Sequence, residues 1–289
     1  MIDVLTLNYN DSQTTICFTK QILQYDCISN VLIVDNNSTD DSIEKITREF
    51  TNELRVTIIK TNHNGGYGSG NNIGIRYLSE IFHSEYILLC NPDVIVSEDT
   101  VAYMENFMRN NDYSIAAPFM CDKNGKRQYN SAFRIPSCMQ YLFSFEMLYS
   151  KIRHPNFYND LCLTTQNVID VDGVSGSMFI MNTADMLKYG MFDEKIFLYA
   201  EEIVLSIKFK KAGKKVALLA DHSFIHNHSV SISKTYKSHI KKHCICLKSQ
   251  LYVIDQYYKA SVIKRGLARI FAGISLVEHT VYSFLKNKG

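Results

Sequence analysis

Proline is scarce in this chain, with 4 among 289 residues, and no Gly/Ser-rich run separates one stretch from the next. That leaves no flexible linker between independent domains. A chain of 289 residues, 46% of them hydrophobic, suffices for one large domain or one domain with an appendage. No segment approaches the roughly 20 apolar residues that a membrane-spanning helix needs. The 8 cysteines are scattered, only Cys244 and Cys246 lie close together, and no CxxC pair occurs, which argues against a zinc site. No leader sequence opens the chain, because Met1-Ile2-Asp3-Val4 enters a strand pattern directly. The expectation is a cytoplasmic protein without a secretory signal, its thiols reduced.

Acid is nearly missing from the last part of the chain. Residues 206–289 hold 16 Lys+Arg against 3 Asp+Glu, about +13, while residues 1–205 hold 15 against 26, about −11. A basic tail on an acidic body suits an anionic partner, a membrane surface or nucleic acid, unless it is only a solvated helix face. The tail reads as helical. Tyr236–Tyr258 carries basic residues and Tyr, and Arg265–Lys286 spaces Leu267, Ile270, Phe271, Ile274, Val277, Val281, Phe284 and Leu285 as an amphipathic helix does.

The body alternates strands and helices. Val4–Leu7, Asn30–Asp35 and Arg55–Lys60 read as strands, with helices over Thr14–Gln24 and Ser42–Phe50 between them. This rhythm predicts a parallel sheet with right-handed crossovers. Tyr86-Ile87-Leu88-Leu89-Cys90 is apolar throughout, as a strand buried on both faces is. Pro92 ends it, because proline cannot donate to a ladder. Asp93 therefore stands at the carboxyl end of a central strand, where open α/β sheets bind ligands. An isolated Asn-Pro-Asp also suits a strand-ending acid that merely caps the next helix.

Asn64-Gly65-Gly66-Tyr67-Gly68-Ser69-Gly70-Asn71 reads as a glycine-rich loop ahead of a helix from Asn71 to about Phe82, a place for an anion. It has neither Walker nor dinucleotide spacing. Met139–Tyr149 reads as a core helix, or else as a surface that meets lipid or sugar. Val216–Leu219 reads as a strand, and Phe224-Ile225-His226-Asn227-His228 sets two His behind an apolar pair. Glu201-Glu202 opens a helix carrying Leu205, Ile207 and Phe209. Two acids there are either capping that the helix dipole favours or catalytic.

Six motifs in order resemble the family 2 glycosyltransferases, most closely their rhamnosyltransferase-like branch. They are Asn8-Tyr9-Asn10, Val34-Asp35-Asn36-Asn37-Ser38-Thr39-Asp40, the glycine-rich stretch, Asn91-Pro92-Asp93, Gly190-Met191-Phe192-Asp193-Glu194 and Phe197-Leu198-Tyr199-Ala200-Glu201-Glu202, with His226 after them. The resemblance covers residues 1 to about 231. It implies a GT-A, Rossmann-like α/β fold: a mainly parallel mixed sheet flanked by helices. The expected division is a 1–231 GT-A domain and a 232–289 helical basic extension.

The resemblance also implies the chemistry. The chain would be an inverting, metal-dependent transferase. It would move a sugar from dTDP-rhamnose or a UDP-hexose to a hydroxyl of a glycan or lipid-linked saccharide in surface polysaccharide or capsule synthesis. Mg²⁺ or Mn²⁺ would offset the diphosphate charge, held by Asp93 and His226. Asn8, Asp35, Asn37, Asp40, Gly66, Asn71 and Asn91 would form the donor site. Glu202 would be the base that takes the acceptor proton, with Glu201 beside it. Glu202 stands where the family has Asp, Val204 where it often has a second Asp, and Lys208 where it usually has Arg. A non-catalytic sugar-nucleotide-binding module that supports a partner transferase is the alternative. Nucleotidyl transfer would need a basic glycine-rich loop that Asn8–Ser12 lacks. The expected location is peripheral, at the anionic inner face of the cell membrane, with no nucleic acid bound. The C-terminal helices alternatively pack on the catalytic domain or form a homodimer.

Overall fold

The computed structural model describes residues 1–145, 158, 161–226 and 238–286, with side chains as far as Phe284. His228 lies outside the described residues, as do the later positions of the aromatic stretch Met139–Tyr149.

Strands β1 (Ile2–Asn8), β2 (Ile28–Asp35), β3 (Val56–Lys60), β4 (Tyr86–Cys90), β5 (Val94–Val96), β6 (Ile115–Cys121), β7 (Ala132–Phe133), β8 (Val168–Val171), β9 (Gly173–Val174), β10 (Met178–Asn182) and β11 (Val216–His226) alternate with helices. Among the described residues the main sheet runs β3-β2-β1-β4-β10-β6-β11-β5, with β8 on β11; β7 and β9 pair separately. β1, β2, β3 and β4 are parallel, as are β6 and β11, and β10 lies antiparallel between β4 and β6. The mixed sheet the sequence implies is therefore present. Its antiparallel insertion brings Met178 opposite Cys90, which delivers a loop to the end of β4.

β4 is apolar throughout because both its faces are covered. Leu88 and Cys90 join one core with Phe18 and Ile22 of α1 (Ser12–Ile22), Ile46 of α2 (Ser42–Glu49), and Met104 and Met108 of α4 (Glu98–Asn110). Ile87 and Leu89 join the opposite core with Ile75 and Leu78 of α3 (Gly66–Ile81). Each such side chain contributes about 1.5–3 kcal/mol on burial. Exposed ion pairs such as Lys45–Asp41, 2.8 Å apart, are screened by water and contribute little. Apolar burial therefore holds the sheet.

Two elements depart from the sequence reading. β11 continues past Leu219 to His226, where Phe224, Ile225 and His226 pair with Val96, Ile95 and Val94. Helix α3 begins at Gly66, not Asn71, so the glycine-rich stretch is its first turns. Intrinsic propensity disfavours glycine in a helix, but here packing overrides it. A Cβ at Gly70 would lie 2.5 Å from Leu7 Cδ1, and one at Gly74 would lie 2.3 Å from Leu5 Cδ1. The glycines let α3 lie close on β1.

The C-terminal helices are part of the same body. A third apolar cluster joins Tyr141 and Leu142 of α5 (Cys138–Phe143) and Val204 of α6 (Glu201–Lys211). Leu247, Val253 and Ile254 of α7 (His239–Gln256) and Ala268 and Ala272 of α8 (Val262–Lys286) complete it. No described helix is long and apolar enough to cross a membrane.

Candidate active site

The ends of β1 and β2 form a closed polar network. Asn8 Nδ2 donates to Asp35 Oδ2 at 2.7 Å, and Thr15 Oγ1 donates to Asn8 Oδ1 at 2.8 Å. Asp35 also accepts from the Ser38 amide at 2.9 Å and its hydroxyl at 2.6 Å. Asn8 and Asp35 are fully buried. As placed, Asp35 spends its carboxylate on holding the loop. Asn10 and Asn37 are left-handed, at φ 53° and 59°, a conformation asparagine tolerates. Asn10 Oδ1 accepts from the Thr39 amide at 2.8 Å, tying the two loops together. Asp40 is exposed, and its Oδ1 accepts from the Ser42 amide at the start of α2. Asn71 is buried, and its Nδ2 donates to the Tyr67 carbonyl.

Gly66 makes its close approach to protein backbone. It is left-handed at φ +89°, and a Cβ there would lie 2.0 Å from the Phe197 carbonyl oxygen. That carbonyl accepts from the Tyr67 amide at 3.1 Å. The close approach at the head of α3 is thus to the segment before Glu201. This segment also takes up one of the amides that would have met an anion.

Asp93 and His226 come together although 133 residues separate them. His226 Nε2 lies 3.1 Å from Asp93 Oδ1, with side chains only 10% and 9% exposed. The antiparallel pairing of β11 with β5, which sets His226 opposite Val94, produces this contact. No group of three or more metal-ligating side chains occurs among the described residues.

The carboxyl pair lies along the same rim. The Asn91 amide donates to the Ser177 carbonyl at 2.8 Å. One residue earlier, Gly176 lies so close to Glu202 that a Cβ would stand 2.6 Å from Oε1. Tyr67 Oη donates to the Gly176 carbonyl at 2.6 Å. Glu202 is partly exposed, whereas Glu201 is buried and its Oε1 has no hydrogen-bond partner among the described residues. Burial first, then the charge of Glu202, pushes Glu201 well above its ordinary 4.5. Burial also raises Glu202, against backbone hydrogen bonds at Glu202 and Gly176 that favour its charged form. Both acids sit in the first turn of α6, where the helix dipole favours carboxylates. Desolvation outweighs it.

Gly176, Tyr67 and Tyr141 are neighbours of this pair that sequence reasoning did not single out as site residues. Burial, Glu202 and Glu201 raise the Tyr67 phenol. Burial and nearby groups, both acids among them, raise Tyr141. The signal for Gly176 was its place at a glycine-flanked strand entry. Tyr67 and Tyr141 gave none beyond aromatic character.

The chain matches the family model described as Glycosyl transferase family 2 over residues 3–176. It is 24% identical over 229 residues to the Rhamnosyltransferase WbbL of Escherichia coli (strain K12), covering 73% of this chain and 84% of that one. To the N-acetylglucosaminyl-diphospho-decaprenol L-rhamnosyltransferase of Mycobacterium tuberculosis it is 25% identical over 224 residues, 74% of this chain and 71% of that one. Among solved structures it resembles GalNAc-T7 with UDP, GalNAc and Mn²⁺, with a TM-score of 0.65 at 12% identity, covering 90% of this chain. The chain spans about half the length of GalNAc-T7, 49%. The mixed sheet flanked by helices and this likeness show a GT-A fold. The chain belongs to the family 2 glycosyltransferases, and rhamnosyltransferases are among its relatives.

Proposed function

We propose that this chain is an inverting, metal-dependent glycosyltransferase that moves a sugar from a nucleotide-sugar donor to a hydroxyl of a glycan or lipid-linked saccharide. The observation that carries the reading is the shared rim. Asp93 meets His226, and Asn91 is bonded to Ser177, whose neighbour Gly176 lies against Glu202. A diphosphate site and a proton acceptor on one edge are what the reaction needs.

The acceptor oxygen attacks the anomeric carbon as the bond from that carbon to the diphosphate oxygen breaks. The acceptor proton passes to Glu202, the more exposed acid, raised toward the pH range where a base works best. Asp93 and His226 would hold a divalent cation, one supplying an oxygen and the other a nitrogen. When bound, the ion would offset the charge that develops on the leaving diphosphate. Asn8, Asp35, Asn37, Asp40, Gly66 and Asn71 shape the donor pocket largely by fixing backbone, and the Asn91 side chain would contact the ribose or a water beside the cation. The Mn²⁺ and UDP in GalNAc-T7 support the donor class. The relatives' names support rhamnose as the sugar moved, hence dTDP-rhamnose as the donor we propose, and one of them names a diphospho-decaprenol-linked sugar. A UDP-hexose is the other candidate.

A donor screen tests this. Sugar nucleotides are incubated with Mg²⁺, Mn²⁺ or chelator, with and without a polyprenyl-diphosphate-linked sugar. The expected result is metal-dependent transfer of one sugar with inversion. A retained anomeric configuration, or transfer unaffected by chelator, overturns the mechanism.

The acceptor reading places the protein at the anionic inner face of the membrane. α8 buries Ala268, Ala272 and Ser275 against the body and exposes Ile263, Ile270, Ile274, Val277, Val281 and Phe284 on the opposite side. Lys264, Arg265 and Arg269 are exposed on its first turns, with Arg265 Nε 4.0 Å from Asp255 Oδ1, and Glu278 is the helix's one acid. This charge complements an anionic bilayer, each basic residue contributing roughly 1 kcal/mol, and a second copy would bring like charge. Binding to vesicles should rise with anionic lipid and fall with salt. Equal sedimentation with neutral vesicles, or salt-resistant dimers without lipid binding, overturns it.

A further inference from the structure

Between α3 and α6 the chain passes through Met191–Ala200, a segment held from two sides. On one side Asn72 of α3 donates from Nδ2 to the Phe192 carbonyl at 3.0 Å and to Glu194 Oε1 at 2.9 Å, and accepts from the Phe192 amide at 2.9 Å. On the other side stands α7, beyond the residues the family model matches. Tyr252 Oη and Tyr257 Oη both donate to Asp193 Oδ2, at 2.9 and 2.7 Å. Ser249 Oγ donates to the Leu198 carbonyl at 2.7 Å. Lys208 of α6 donates its ammonium to the Met191 carbonyl.

The held segment is strained where it reaches the acids. Tyr199 and Ala200 are both left-handed, at φ 70° and 71°. Such residues cost about 1–3 kcal/mol each and persist only where surroundings over-determine them. Ala200 caps α6 without a side-chain hydrogen bond, so the local sequence does not stabilise the turn. We infer that Tyr252 and Tyr257 are positioning residues for Glu202: by gripping Asp193 they hold the Met191–Ala200 segment so that its left-handed turn sets Glu202 against Gly176. The assignment rests on Glu202 being the base.

The electrostatics agree with the geometry. Burial favours neutral Asp193. The Tyr257 hydroxyl, the Lys195 amide, the Tyr252 hydroxyl and the nearby Lys208 charge outweigh it, so the carboxyl lies below its ordinary value. Burial and Asp193 push Tyr252 up to about 12, so it remains a donor across the working pH range. Val204 fits the same picture. Two residues after Glu202 it lies buried in the cluster with Leu247, Val253 and Ile254, which ties the start of α6 to α7.

The test uses the full-length chain with Tyr252→Phe, Tyr257→Phe and both together, which keep the rings and remove the hydroxyls. A reactive group displaced by about 1 Å can lose 10²-fold in rate. The double variant should therefore lose about ten- to a hundredfold in kcat. UDP and dTDP affinity with Mn²⁺, by calorimetry, should be unchanged. Amides of residues 196–204 should exchange hydrogen faster while those of β1 and β4 do not. A faster-exchanging segment with wild-type kcat, or a reduced kcat with unchanged exchange, overturns the inference. Undiminished transfer by Glu202→Gln would instead sink the base assignment, and the exchange result would still report whether the grip exists.

Discussion

The donor side and the base side of the site solve the same backbone problem differently. Both need left-handed residues next to a functional loop. At the ends of β1 and β2 these are Asn10 and Asn37, which tolerate that conformation. Their surroundings pair Asn8, Asp35, Ser38 and Thr15 with one another. Before α6 the left-handed residues are Tyr199 and Ala200, which do not tolerate it. The acid that follows them, Glu201, is buried with an oxygen lacking a hydrogen-bond partner among the described residues. A relaxed, satisfied network suits a pocket that binds similarly in every cycle. Strain and an unpaired buried carboxyl suit the surroundings of a base that must take up a proton, and they cluster where function demands it.

The largest effect should come at the proposed metal site. Asp93→Ala removes one of the two residues we propose as ligands, at a strand end outside the cores. Lewis-acid stabilisation is worth several kcal/mol, so turnover should fall by about 10³ or more, with melting little changed. Full activity, measured against chelator controls, refutes the metal assignment.

Next is Glu202→Gln, which should keep donor binding and lose about 10²–10⁴ in transfer rate. Glu201→Gln should lose less. The reverse order would move the base by one residue and make the buried acid the reactive one.

Asp35→Ala breaks the relaxed side. It takes the acceptor from the Ser38 amide and hydroxyl and leaves Asn8 Nδ2 only Ser38 Oγ at 3.2 Å, at about 1–3 kcal/mol for each group left unsatisfied. Thermal melting should drop by several degrees, and nucleotide affinity should fall with it. A variant that melts normally but fails to bind nucleotide would show that Asp35 acts on the ligand directly, not through the loop.

These contrasts were unevenly legible in the sequence. β4 was readable because burial on both faces leaves no polar position to obscure it. Asp93 and His226 were joined in the sequence only through the family resemblance, and the β11–β5 pairing is what brings them to 3.1 Å. The glycines of α3 suggested a ligand loop because glycine disfavours helix, yet Leu5 and Leu7 of β1 explain them through tertiary contact. The grip on Asp193 was invisible, since Tyr252 and Tyr257 lie 59 and 64 residues away in helices whose periodicity speaks only of burial.

Glu201→Gln sharpens the contrast through pH. The folded protein holds the Glu201 proton above its ordinary 4.5, so between that value and the raised one the folded state binds more protons than the unfolded state. Stability then falls as pH rises through this window. Glutamine has no proton to lose. The variant should gain melting temperature over wild type at pH 8 and lose that gain near pH 4. A gain independent of pH would mean that Glu201 is not the titrating group.

The smallest effect, and the one that separates strain from mere irregularity, is Ala200→Gly. A left-handed alanine costs about 1–2 kcal/mol. The extra freedom glycine brings to the unfolded chain takes back about 0.4–1 kcal/mol. The net gain should be about 0.5 kcal/mol, a rise of about 1–2 °C at the 2–4 °C per kcal/mol of chains this size. The same substitution at Asn37 should not stabilise, because asparagine already accepts the conformation. If the strain at Ala200 helps aim Glu202, the stabler variant should also be slower, with kcat reduced severalfold and donor affinity intact, as trade-offs between stability and activity run. A variant both stabler and fully active would mean that the turn is a cost of the fold, and that the grip of α7 on Asp193 suffices to place the base.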